Sequence, residues 1–189
     1  MATARHHGVC PVWVGYLLAS PIRGLLQNPQ KILAPHVRSG MRVLEVGPAM
    51  GFFTLPLARL VGPSGRVICV EIQERMLGGL MRRARRAGLA ERIEARGCDA
   101  ESLRVSDLAH SIDFALVFAV VHEVGNAARF FEEVQSVLKP GGRVLFAEPK
   151  GHVPEQDFQE SLAAARQGGL HEIESLKIAR SRARLLERA

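Results

Sequence analysis

The chain has 189 residues, 47% of them apolar, which is enough for one domain with a sizeable core and too little for a second, substrate-binding domain. Its three cysteines, Cys10, Cys69 and Cys98, have neither the number of a disulfide framework nor the spacing of a metal site. That excludes a cystine-stapled scaffold, gives no reason to expect a metal, and fits a reducing, cytoplasmic setting. A net charge of +6 leaves phosphate-bearing partners open.

Near the start, Val9 to Ala19 is apolar and follows Arg5, the outline of a signal peptide. Pro11 interrupts it early, and the run is too short to cross a bilayer, so no membrane partner is expected. Residues 11–37 read as broken helix, punctuated by Pro11, Pro21, Pro29 and Pro35 and anchored by Ile22, Leu25, Leu26, Ile32 and Leu33. We expect residues 1–37 to form a helical arm or lid on a core of residues 38–189.

Within that core, strand one follows Ser39-Gly40-Met41, and a helix over about 53–61 ends at Gly62-Pro63-Ser64-Gly65. A second strand at 66–71 leads to a helix over about 74–87, which Gly88 stops. A short third strand is expected at 93–96. Residues 113–120 form an apolar run suited to a central parallel strand. A helix over about 126–138 precedes strand five at 143–148, and a helix over 155–167 stops at Gly168-Gly169. Two final strands, 171–179 and 183–188, are close enough to form an antiparallel hairpin at a sheet edge. Strand–helix alternation of this kind gives an α/β, doubly wound sheet.

The most informative stretch is Val43-Leu44-Glu45-Val46-Gly47-Pro48-Ala49-Met50-Gly51-Phe52-Phe53-Thr54: a buried strand, an acidic residue, a glycine-punctuated turn and a helix start. Glycine lacks Cβ, so the backbone turns sharply and lies close to a ligand, with helix amides following. A dinucleotide fingerprint needs glycines at places one, three and six, which here hold Gly47, Ala49 and Phe52. Glu45-x-Gly47-x-x-x-Gly51, with Glu71 closing the second strand, instead resembles the class I S-adenosylmethionine-dependent methyltransferases. Cys98-Asp99-Ala100, Asp113-Phe114-Ala115-Leu116-Val117 and Leu138-Lys139-Pro140-Gly141-Gly142-Arg143-Val144-Leu145 are similar to later motifs of that family. Cys10-Pro11-Val12-Trp13 and Ser181-Arg182-Ala183-Arg184-Leu185-Leu186 resemble a group of small methyltransferase-domain proteins.

The resemblance implies a Rossmann-like sheet of about seven strands in the order 3-2-1-4-5-7-6, the last antiparallel. It implies S-adenosylmethionine as cofactor and S-adenosylhomocysteine as product. Cofactor contacts are expected from Glu45, Gly47, Pro48, Gly51, Phe53, Glu71, Ile72, Cys98, Asp99 and Ala119. Glu71 would accept from ribose hydroxyls and Asp99 from the adenine amino group, with Cys98 and Ile72 beside the ring; the alternative for Asp99 is the cap of a turn. Glu45 would order the glycine loop or meet the cofactor's ammonium group. Ala49 stands at the family's middle glycine, and Pro48 removes an amide donor.

In-line SN2 transfer of an activated methyl group needs mainly positioning and exclusion of water. A base is needed only if the acceptor loses a proton. His122, just after strand four, is the candidate base because its intrinsic pKa lies near neutrality, with Glu123 as the candidate to orient it. Cys10, Trp13, His122 and His152 are expected on the acceptor side, where the apolar arm suits a small or partly apolar acceptor. The nucleic-acid amino-methylase run after strand four is replaced by Ala119-Val120-Val121-His122. Arg82, Arg83, Arg85, Arg86 and Lys177, Arg180, Arg182, Arg184, Arg188 read first as solvated faces, and RNA is the alternative partner through them. A non-catalytic cofactor-binding module is the third reading. Either a monomer or a homodimer fits.

Overall fold

Five parallel strands form the body of the computed structural model, which describes residues 27–189. They are β1 (Arg42–Val46), β2 (Arg66–Glu71), β3 (Ile93–Gly97), β4 (Ile112–Phe118) and β5 (Leu138–Pro149). A hairpin of β6 (Leu170–Ile178) and β7 (Ser181–Arg188) completes the sheet, with β7 inserted antiparallel between β5 and β6. The order is 3-2-1-4-5-7-6, as the family resemblance implies.

Strand residues alternate between two cores, because successive side chains of a strand point to opposite faces. On one face Leu44, Val46, Ile68, Ala115 and Val117 pack with α4 (Ala127–Val137) and α5 (Glu155–Gln167). On the other, Val43, Cys69, Phe114, Leu116 and Leu145 pack with α1 (Pro29–Leu33), α2 (Thr54–Leu60) and α3 (Glu74–Arg86). Covered on both sides, β1, β2 and β4 have the near-continuous apolar character that parallel strands require. Phe146 of β5 is fully buried, edge-on to Phe131 at 5.4 Å and stacked on Phe158 at 5.1 Å.

Local signals set the helix ends. The Asn126 side chain accepts from the Arg129 amide at 3.0 Å and starts α4. At the end of α3, Gly88 takes φ +67°. The Leu89 amide then donates to the Ala84 carbonyl at 2.9 Å and the Gly88 amide to that of Arg85 at 3.1 Å, the Schellman arrangement.

Most boundaries shift by one or two residues from the sequence reading, and two of the shifts have a local cause. β4 ends at Phe118 rather than 120, because Ala119 turns into the left-handed region with φ +60°. β5 starts at Leu138 rather than 143: Leu138 pairs with Ile112 and Arg143 with Phe114, so the intervening residues bulge out of the ladder at a φ +71° Gly141. Pro140, Gly141 and Gly142, which the sequence reading leaves between a helix and a strand, therefore lie within β5.

Residues 1–26, including Cys10 and Trp13, lie outside the described residues. The described part of the arm packs on the sheet: Leu33 and Val37 are buried in the second core. The Gln27 side-chain amide donates to the Ala179 carbonyl at 2.8 Å and to Ser181 Oγ at 3.1 Å. None of the described helices is long and apolar enough to cross a membrane.

Phe146→Ala removes a fully buried ring from between two others. We expect it to cost about 3–5 kcal/mol, read as a lower urea midpoint with an unchanged slope.

Candidate active site

In an open α/β sheet a ligand sits beyond the carboxyl ends of the strands, where the winding reverses. Here that place lies between β1 and β4, and a cavity of about 610 Å³ opens there. Its floor is the β1–α2 loop. Gly47 and Gly51 have φ +66° and +86°. A Cβ on Gly47 would lie 2.7 Å from Val120 Cγ2, and one on Gly51 2.5 Å from Leu80 Cδ1, so both positions need glycine for conformation and for space. Ala49, between them, holds φ +48°, a region a residue with a Cβ seldom enters. Its amide donates to Glu71 Oε2 at 3.2 Å, while Arg83 of α3 donates to the Met50 carbonyl. The loop is thus pinned from β2 and from α3.

Glu71, at the end of β2, is buried, and its other oxygen accepts from the Gln73 amide at 3.1 Å. Burial pushes its carboxyl above the usual range, against the pull of those backbone donors. Glu45 is buried below the loop and accepts from Thr54 Oγ1 at 2.6 Å. Burial raises it from an ordinary 4.5 to about 7, although the bonds from Thr54 and Cys69 oppose the rise. Burial, with the charges of Glu71 and Asp99, also raises the Cys98 thiol to about 11. It lines the cavity as a neutral thiol at physiological pH, without thiolate reactivity.

Asp99 lines the cavity with its carboxylate committed to its own turn. Oδ1 accepts from the Glu101 and Ser102 amides at 3.0 and 2.8 Å, and Oδ2 pairs with Arg104 at 2.9 Å. Those donors hold it below the usual carboxylate range. Pro48, Phe53, Ile72 and Ala119 line the same cavity, as do His122, Glu123 and His152.

The orienting partner of His122 is Glu148, not Glu123. His122 Nδ1 lies 2.7 Å from Glu148 Oε2, whereas its Nε2 is 3.9 Å from Glu123 Oε1, too far for a hydrogen bond. Glu148, next to last in β5, has no exposed surface, and its Oε1 accepts from the amides of Val121 and His122 at 2.8 and 3.3 Å. Glu148 thereby fixes both the imidazole and the turn that carries it. Burial alone would lower the His122 pKa, but the Glu148 bond and the charges of Glu148 and Glu123 outweigh it and hold the imidazole above its ordinary value. His152 packs edge-on, with ring centres 4.9 Å apart. The sequence signal for Glu148 was present: an acidic residue ending the strand beside the one that precedes His122.

Much of the basic charge serves the fold. Arg83 holds the glycine loop, Arg182 pairs with Glu155, Arg184 with Glu172, and Arg188 donates to the carbonyls of Gln135 and Leu138. Among the described residues, no group of three or more His, Cys, Asp or Glu is gathered to hold a metal.

The model of a methyltransferase domain matches residues 37–185, which takes in every wall of the cavity and all of the sheet but the last three residues of β7. The chain belongs to that methyltransferase-domain family. By sequence it is 36% identical over 117 residues to the ubiquinone/menaquinone biosynthesis C-methyltransferase UbiE of Cellvibrio japonicus, covering 62% of this chain and 46% of that protein. The Pasteurella multocida protein of the same name is 33% identical over 112 residues, 59% of this chain and 41% of its own length. The chain therefore spans less than half the length of these curated relatives. By structure it resembles a SAM-dependent methyltransferase from Aquifex aeolicus, with a TM-score of 0.85 at 20% identity, covering 96% of this chain and all of the other. A geranyl diphosphate methyltransferase superposes with a TM-score of 0.69 at 14% identity, over 86% and 78% of the two chains. These structures share the methyltransferase domain's fold.

Glu45 sets a pH dependence. A carboxyl raised in the folded state favours folding while protonated, so its contribution is complete below about 4.5 and is lost as pH rises to about 7. Relative to Glu45→Gln, the wild type should lose on the order of 3 kcal/mol between pH 4.5 and 8. Urea midpoints of both proteins across that range check this, and a constant difference would mean that Glu45 is charged in the fold throughout.

Proposed function

We propose that the protein moves a methyl group from S-adenosylmethionine to a small, partly apolar acceptor. The observation that carries this reading is the glycine cradle facing the buried Glu71 carboxylate at the reversal point of a methyltransferase-domain sheet. The residues present suit that cofactor: a Cβ at Gly47 would close the cradle against Val120, and the cavity has the volume of a nucleoside-sized pocket. Bound there, it supplies a methyl carbon on a sulfonium sulfur, and that carbon–sulfur bond breaks as the acceptor's electron pair forms the new bond.

The chain's own residues bind and orient. Both Glu71 oxygens accept backbone amides, Oε2 from Ala49 and Oε1 from Gln73, and a carboxylate with about four acceptor sites still has room for a ligand hydroxyl. Glu45 is placed to favour a cationic group above the loop. Ile72, Cys98 and Phe130 give an apolar wall for a flat ring, with Asp99 at its rim. His122 and His152, carried on the ends of β4 and β5, form the wall met by the acceptor. The names of the sequence relatives support trying carbon first among attacked atoms, and the paired state of Arg182, Arg184 and Arg188 weighs against RNA. The unpaired thiols of Cys69 and Cys98 fit a cytoplasmic setting.

Calorimetric titration with S-adenosylmethionine, S-adenosylhomocysteine and NAD tests the reading, with binding expected for the first two and not for NAD. Glu71→Ala should weaken that binding by about 1–3 kcal/mol. An unchanged dissociation constant would remove Glu71 from the site, and a folded wild type that binds neither sulfur nucleoside would overturn the reading.

A further inference from the structure

The pairing of His122 with a fully buried carboxylate bears on what the acceptor must be. A neutral imidazole has one N–H and one lone pair. With Nδ1 2.7 Å from Glu148 Oε2, the proton belongs on Nδ1, where it can be donated to the carboxylate. The lone pair is thereby assigned to Nε2, whose nearest carboxylate oxygen, on Glu123, is 3.9 Å away. His122 lines the cavity and Glu148 does not, so the pair joins a ring nitrogen with a lone pair on the cavity side to a carboxylate behind the wall. Burying a carboxylate is costly, and two backbone amides stabilise this one in addition to the ring. Methyl transfer to a tertiary amine or a thioether makes no use of such a pair, because those nucleophiles have no proton to lose.

We infer that Glu148 is a positioning residue that holds His122 as a base, and that the acceptor is a nucleophile with a removable proton: a hydroxyl, a thiol, or a carbon activated by a phenolic hydroxyl. This deepens the methyltransferase reading and rests on it. As the acceptor forms its bond to the methyl carbon, the pair of the breaking carbon–sulfur bond stays on sulfur and the acceptor's proton passes to His122 Nε2. The resulting imidazolium faces Glu148 on β5 and Glu123 on its own turn, with His152 edge-on. The other titratable groups around the cavity are Glu45, Glu71, Cys98, Asp99, Glu101, Arg129 and Glu133.

Two measurements on the full chain test the inference. The first is the NMR titration of the His122 ring in wild type and in Glu148→Gln, a variant that keeps an acceptor oxygen for Nδ1–H but removes the charge. The midpoint should fall by about 1 unit or more, with S-adenosylhomocysteine binding retained, and Glu148→Asp should restore part of the fall. An unmoved midpoint overturns the positioning role. The second is labelled methyl transfer from S-adenosylmethionine to catechol, hydroquinone and thiophenol against N,N-dimethylaniline and dimethyl sulfide. Transfer should be confined to the first group, rise with pH through the His122 midpoint, and drop about 100-fold in kcat in His122→Ala with KM little changed. Transfer to the proton-free group at comparable rates, or to neither group, overturns the acceptor class. Failure to bind either sulfur nucleoside would instead strike the methyltransferase reading and leave the NMR result standing.

Discussion

Buried carboxylates cannot go unpartnered, and three of them end strands of this sheet. Glu45, Glu71 and Glu148 lie at or near the carboxyl ends of β1, β2 and β5, each almost without exposed surface. An unpaired charge there would cost several kcal/mol, so each draws in the nearest donors. Glu45 takes the Thr54 hydroxyl, Glu71 the amides of Ala49 and Gln73, and Glu148 the amides of Val121 and His122 together with the His122 ring. The loops that form the cavity are therefore ordered by the need to solvate these carboxylates. Fold and site are one arrangement, because parallel strands buried on both faces leave polar groups no other place to go.

Pinning by carboxylates also accounts for the strained backbone of the two loops beside the cavity. Ala49 and Ala119 both hold positive φ without being glycine, and each sits in a loop that a strand-end carboxylate grips within two residues. Such conformations persist where the surroundings over-determine them. At Ala49 the grip is Glu71, the side chain assigned under the proposed function to a ligand hydroxyl, so on that reading loop shape and ligand contact are coupled through one carboxyl group.

Most of the architecture was legible in the sequence because it is written in short-range patterns. Apolar runs located β1, β2 and β4, Gly88 marked the end of α3, and Gly47 and Gly51 marked the turn under the cavity. Bonding between distant residues was not legible. Glu123 stood next to His122 in sequence and drew the orienting role, while Glu148, 26 residues away, holds it. Asp99 had two open readings, and its three hydrogen-bonding neighbours within five residues show a turn cap at the cavity rim. The start of β5 was missed because Pro140, Gly141 and Gly142 are turn residues by composition, and only the pairing of Leu138 with Ile112 reveals a bulged strand.

The insertion of β7 between β5 and β6 governs how the molecule is completed. β5 carries Glu148, and among the described residues its outer edge pairs with β7 alone, from Arg143 to Pro149 against Glu187 to Ser181. On a ribosome, every residue up to about 180 can emerge while that edge still offers a row of open amides and carbonyls. An exposed edge of this kind is a template for pairing with other chains. The nascent protein thus carries an open strand edge beside the cavity until β7 arrives, and any chain that stops short of β7 keeps it.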